Sequence, residues 1–123
     1  MRRVFVLLMA GVVAQGASFI TKEEYAGSLY HNPRGVGCHL CHGEAGEGKL
    51  IARYSDDEGN KVFAGKPINK LSFRDFYDRL NSRIIGMPRY YLTDMEIQTL
   101  YYHLHKEEFK NAARKSGPTR TTH

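Results

Sequence analysis

Cysteine is scarce in this chain: two residues among 123, Cys38 and Cys41, three positions apart. A disulfide between them would close a tiny loop and stabilise little. Long apolar runs are as scarce. The one present, Val4 to Val13 (VFVLLMAGVV), is about half of the roughly 20 residues that a membrane helix needs. Arg2 and Arg3 precede it, and Ala14-Gln15-Gly16 puts small residues at −3 and −1 of a cut after Gly16. Residues 1–16 therefore read as an export signal, with an uncleaved anchor as the alternative. The expected location is the periplasm, as a soluble protein without stable membrane insertion after cleavage. Nor is there a dominant charge of one sign. The formal net charge is +5, two charges of which leave with the signal, and Asp and Glu are mixed among the basic residues. That is too weak and too mixed to argue for a nucleic-acid partner, and none is expected; it suggests a mild attraction for acidic protein surfaces. No internal repeat is present, and the length suits one domain.

Three segments carry helix signals. Thr21 to Glu24 fits a capping box, with Tyr25, Ala26 and Leu29 on the inner face and Asn32-Pro33 as the stop. Ser72 caps a second helix with Phe73, Phe76, Tyr77 and Leu80 on one stripe. Thr93 to Glu96 is another capping box, followed by Ile97, Leu100, Tyr101 and Leu104, in a helix expected to run to about Lys110. Between the first two lies glycine-rich Gly43 to Leu71, read as a wrap around something large and apolar that is not protein. Within it, a polar bend at Ser55 to Asn60 between Leu50-Ile51 and Val62-Phe63 allows a small hairpin. Residues 111–123 read as a basic, flexible tail.

The two cysteines stand in Cys38-His39-Leu40-Cys41-His42. This is C-x-x-C-H, the attachment pattern for a c-type haem. Each thiol can add to one vinyl group of the porphyrin, and the two-residue gap brings both sulfurs to one edge of the ring. The next residue then offers an imidazole to the iron. A thioredoxin-like pair expects a βαβ context that is missing. A zinc site on Cys38 and Cys41 would need two more ligands. His103 and His105 are on offer, with a spacing unlike a zinc finger.

A second axial ligand is sought among the methionines that follow the signal, Met87 and Met95. Met87 lies between Gly86 and Pro88 in a loop between helices, where a thioether can meet iron without moving a helix. Met95 lies in a first helical turn and suits packing. His31, His103 and His105 read as solvated or locally hydrogen-bonded, and His39 as facing away from the iron. The site is thus Cys38, Cys41, His42 and Met87, with His42 and Met87 on the metal. Leu50, Ile51, Phe63, Ile68, Phe76, Leu80 and Ile85 are wall candidates. Arg53, Tyr54 and Lys61 are candidates for the propionates.

The pieces GCHLCHG and GMPRYYLTDMEIQTLYYHL, in that order, resemble the class I monohaem c-type cytochromes. The resemblance spans Thr21 to Leu104. It implies an all-α, cytochrome c-like fold of three to four helices around one covalent haem, with the cytochrome c domain at residues 17–110. Crossing N- and C-terminal helices are implied, with Ala26 and Gly27 against Leu100, Tyr101 or Leu104. The implied activity is single-electron transfer in a respiratory chain by a monomer that is not an enzyme. The implied donor is a quinol–cytochrome c reductase, and the implied acceptor a terminal oxidase or peroxidase. Arg34, Lys49, Lys66 and Arg89 would surround the docking face. A haem enzyme or sensor, and a subunit of a larger redox complex, are the competing readings. Many members have a proline soon after the motif, whose carbonyl takes the proton of the histidine ligand. Residues 43–66 contain none, so another carbonyl must serve.

Overall fold

The first helix begins where its side chains can replace missing backbone partners. Thr21 Oγ1 accepts from the Glu24 N–H, and Glu24 accepts from the Thr21 N–H at 2.8 Å, closing the capping box. Helix α1 then runs Lys22–His31 and stops at Asn32, ahead of Pro33. Ser72 starts the helix Phe73–Asn81 by accepting from the Asp75 N–H. Thr93 starts the long helix Asp94–Lys115 with a second full capping box through Glu96. These devices each contribute about 1 kcal/mol. In the computed structural model, which describes residue 16 and residues 19–117, they bound the three main helices.

In chain order the elements are α1, α2 (Cys38–His42), β1 (Lys49–Asp56), β2 (Gly59–Gly65), α3 (Phe73–Asn81) and α4 (Asp94–Lys115). Helix α1 packs on α4, and α3 packs on α4 from another side. Leu29, Tyr30, Phe76, Ile97 and Leu100 form the buried centre of this arrangement, where the three helices meet. Ala26 is fully buried, as the close crossing requires. At Gly27 the nearest neighbour of an added Cβ would be His103 Cε1, at 3.7 Å. The short helix α2 bridges α1 and the strands.

The expectation of an all-α shell is overturned. Residues 49–65 form an antiparallel hairpin, so the fold is mixed, four helices with a two-stranded sheet. The physical cause is local. Leu50, Ile51 and Tyr54 precede the polar bend and Val62 and Phe63 follow it, and such residues favour strands. Pairing satisfies their backbone groups without help from a helix. Gly59 takes φ 115° at the turn, a conformation that side chains rarely allow. The register shifts between Leu50 and Ala52, leaving Ile51 without a cross-strand partner.

Two boundaries need comment. The export signal at residues 1–16 lies, apart from Gly16, outside the described residues. Helix α4 passes the expected end near Lys110 and the start of the expected tail, reaching Lys115 with Ser116 as its cap. Among the described residues no helix is long and apolar enough to cross a membrane.

Tyr30 ties α1 to the end of α2. Its ring is 1 % exposed, and its hydroxyl donates to the Gly43 carbonyl at 2.6 Å. Burial pushes the phenol pKa well up, which keeps it a donor. Tyr30→Phe would leave that carbonyl only the longer 3.3 Å bond from the Gly46 N–H. We expect a stability loss of about 1 kcal/mol, read as a lower urea midpoint at unchanged slope.

Candidate functional site

A cavity of about 340 Å³ opens between α2, the hairpin, α3 and the loop that follows it. That is within the roughly 300–1,000 Å³ of small-molecule and cofactor sites. Cys38, Cys41 and His42 line one part of it, and Met87 with Ile84, Ile85, Gly86 and Pro88 lines another. The four residues singled out in the sequence thus share one cavity. Of the expected wall, Ile51, Phe63, Ile68, Phe76, Leu80 and Ile85 contribute, and Leu50 does not. The break in strand register falls at Ile51, the strand residue that reaches the cavity while Leu50 stays out.

The orientation of His42 follows from one hydrogen bond. Its Nδ1 lies 2.7 Å from the carbonyl oxygen of Lys66. A carbonyl only accepts, so Nδ1 carries the proton and Nε2 keeps a free lone pair. This is the arrangement that prepares an imidazole as a metal ligand. Lys66 precedes Pro67, which also lines the cavity. The carbonyl that holds the His42 ring is therefore supplied from beyond the hairpin rather than from just after the motif.

The hairpin can bring Lys66 there because Gly65 lies against α2. A Cβ on Gly65 would sit 1.6 Å from the Cys41 carbonyl oxygen. Phe63 in turn reaches the methionine loop, with its ring edge 3.2 Å from where a Cβ of Gly86 would be. Hairpin, α2 and loop thus meet around the cavity. Met87 is half-buried there, its N–H donating to the Ile84 carbonyl at 3.3 Å. Met95 is 70 % exposed, outside the cavity lining and outside the packing role expected for it.

Both cysteines are free thiols. Burial pushes the Cys38 thiol up to about 11, with a smaller contribution from Cys41 beside it. A neutral, buried thiol is the reverse of the activated thiolate in a redox C-x-x-C pair. The only sheet among the described residues is an antiparallel hairpin, which removes the βαβ context as well. The cysteine zinc site fares no better. His103 lies against the Tyr30 ring, and His105 is buried, stacked on Tyr101 and bonded through Nδ1 to the Tyr101 carbonyl. Among the described residues, neither cysteine belongs to a cluster of three metal-ligating side chains.

The polar fringe differs from the sequence reading. Arg53, Tyr54 and Lys61 do not line the cavity, and Lys61 is engaged by Asp56 and Glu58 at the hairpin tip. Arg79, Lys66 and Tyr90 line it instead. Arg79 was readable in principle, since it lies three residues after Phe76 on the same helix face. Arg34 is not a free docking charge. It makes a two-pronged bond to Glu96, at 2.5 and 3.0 Å, and donates to the Tyr91 carbonyl at 3.0 Å. Its backbone holds φ 63°, a position that costs about 1–2 kcal/mol for a side-chain-bearing residue and that these bonds offset. Tyr90 adds a second tie, donating to the Val36 carbonyl. The loop before Cys38 is therefore fastened to the segment after Met87.

This fastening has a pH signature. The Arg34 guanidinium, and then the Thr93 backbone N–H, hold the Glu96 carboxyl down to about 2. A depressed carboxyl stabilises the fold above its ordinary value near 4.5, and that contribution disappears as pH falls toward 2. Arg34→Ala should lower stability at pH 7 only modestly, because the arginine is largely exposed and solvent screens the pair. The deficit should shrink between pH 4.5 and pH 2, the window set by Glu96, when urea unfolding is compared across that range.

No protein-family model, curated protein or solved structure matches this chain.

Proposed function

We propose that this protein is an electron carrier holding one c-type haem, attached through Cys38 and Cys41 with His42 and Met87 as axial ligands. The observation that carries the reading is the hydrogen bond that His42 makes behind its ring, at 2.7 Å. In a C-x-x-C-H helix on a largely apolar cavity, its Nδ1–H is fixed by the Lys66 carbonyl, and its Nε2 is left free to bind a metal. The residues present fit the group. Two free thiols and an imidazole from one helix share the cavity with a thioether from another segment. Ile51, Phe63 and Ile85 present exposed apolar surface beside it, which a flat hydrophobic cofactor would cover.

The haem would supply one reversible electron at its iron. The chain's own residues set the terms of that exchange. His42, oriented from behind by Lys66, would offer its Nε2 lone pair, and the neutral sulfur of Met87 would favour the less charged, reduced state. If His42 and Met87 both held the iron, no position on it would remain for a substrate. Ile68, Phe76 and Leu80 keep water from the centre. Arg79 and Lys66 are the cationic residues on the cavity wall and the partners on offer for carboxylate groups. Lys66, Lys49 and Arg89 remain as candidates for contact with an acidic redox partner, Arg34 being paired with Glu96. The proposed setting is the periplasm, between a quinol-oxidising donor and an oxidase or peroxidase.

The test is an absorption spectrum of the purified, exported protein, oxidised and then reduced. The proposal expects one haem per chain and, in the oxidised state, the weak band of sulfur bound to iron. Haem without that band would instead favour an open sixth position, hence a sensor or enzyme. A spectrum without haem would end the proposal.

A further inference from the structure

Outside the cavity lining, His31, His39 and Glu44 come together. One ring nitrogen from each histidine and one carboxylate oxygen lie within 4.8 Å of one another. None of the three lines the haem cavity. We propose that they form a second site, for a divalent transition-metal ion of the zinc type, held by two imidazoles and one carboxylate.

Three features of the chain support this. The first is the orientation of His31. Its Nδ1 lies 2.8 Å from the Gly27 carbonyl, so Nδ1 carries a proton, and its Nε2 faces a Glu44 carboxylate oxygen at 2.7 Å. A backbone carbonyl behind one ring nitrogen, with the other turned to the metal, is the usual arrangement of a ligating histidine. The metal would take the place of the proton between Nε2 and Glu44. The second is His39. Its Nδ1 is buried without a hydrogen-bond partner, and its ring lies 4.2 Å from the His31 ring, centre to centre. A buried ring nitrogen with no partner is uncommon and calls for a reason. The third is the space given to that ring. A Cβ on Gly37 would stand 2.5 Å from His39 Nδ1 and 2.4 Å from the His31 carbonyl oxygen, so only glycine leaves room for the two histidines to meet.

The chemistry is that of a three-ligand site with an open position. Ligand atoms around a tetrahedral zinc lie about 3.4 Å apart, given bonds of about 2.1 Å. His31 and Glu44 are both exposed, at 45 % and 71 % of their side-chain surface, and can close on an ion by small rotations. Two imidazoles and a carboxylate suit zinc, and also copper or nickel. Water fills the fourth position. Helix α2 would then carry a haem ligand, His42, and a metal ligand, His39. The second site does not depend on the first.

The experiment is a calorimetric titration of the purified full chain with zinc chloride, after chelator treatment and removal of the chelator. The proposal expects one zinc per chain. Glu44→Gln and His39→Gln should each weaken binding by more than the roughly 10–100-fold that loss of an outer-shell partner costs. Glu47→Gln should leave it unchanged. Glu44 is a surface residue, so Glu44→Gln remains decisive even where His39→Gln disturbs the helix. Absence of stoichiometric zinc, or equal affinity in wild type and Glu44→Gln, would overturn the site.

Discussion

Gly65→Ala is expected to separate the hairpin from helix α2 and to leave most of the protein without a working cavity. The added methyl would sit 1.6 Å from the Cys41 carbonyl oxygen. That neighbour is backbone, in the same short helix that presents both thiols and His42, and it cannot swing aside. Overpacking a core usually costs about 1–3 kcal/mol, and this clash should lie at or above that range. For a domain of this size a loss of 3 kcal/mol lowers the melting temperature by roughly 10 °C or more. Moving β2 would also pull Lys66 from His42 and free the imidazole to rotate. The paired readouts are melting temperature and haem per chain after expression with the maturation machinery, and both should fall. A variant that melts and loads like wild type would show that hairpin and helix are not held in contact.

Met87→Ala should change the chemistry while sparing the fold. Met87 is half-buried on a loop outside the helix core, so little packing is lost. The proposed sixth ligand, however, disappears. The oxidised variant should lack the sulfur-to-iron band and should bind an added ligand such as imidazole or cyanide far more tightly than wild type. Its potential should fall by a sizeable part of the roughly 0.8 V span that axial ligands command. Met95→Ala is the matched control, because Met95 is 70 % exposed and outside the cavity lining. If Met95→Ala rather than Met87→Ala removed the band, the ligand would be misassigned.

What could be read from the sequence depended on how local the physics is. Capping by Thr21, Ser72 and Thr93 involves residues three apart, and all three helix starts stand where their patterns put them. The polar bend at Ser55 to Asn60 marks a hairpin, a local signal that the resemblance to an all-α family does not carry, and the fold class departs from the expectation there. The motif cysteines and His42 are contiguous and easy to find. Their partners are not. Lys66 lies 24 residues from the imidazole it orients, and Arg34 lies 62 residues from Glu96. Such pairings are set by how the hairpin and α4 fold back, which no local pattern encodes. Arg79 is within reach of the periodicity of α3, because it lies one turn after Phe76, and it is on the cavity wall where Arg53, Tyr54 and Lys61 are not. His39 stays outside the cavity lining, and its approach to His31 depends on the missing side chain of Gly37.

The central claim is a covalent bond between this polypeptide and a porphyrin, and mass spectrometry of the denatured chain tests it most directly. The protein is expressed with its leader in cells that mature c-type cytochromes, purified, unfolded in acid and stripped with organic solvent. The account expects the mass of the processed chain plus one haem, with the addition confined to the peptide containing Cys38 and Cys41. The mass of the bare polypeptide, with any pigment lost to the solvent, would contradict it.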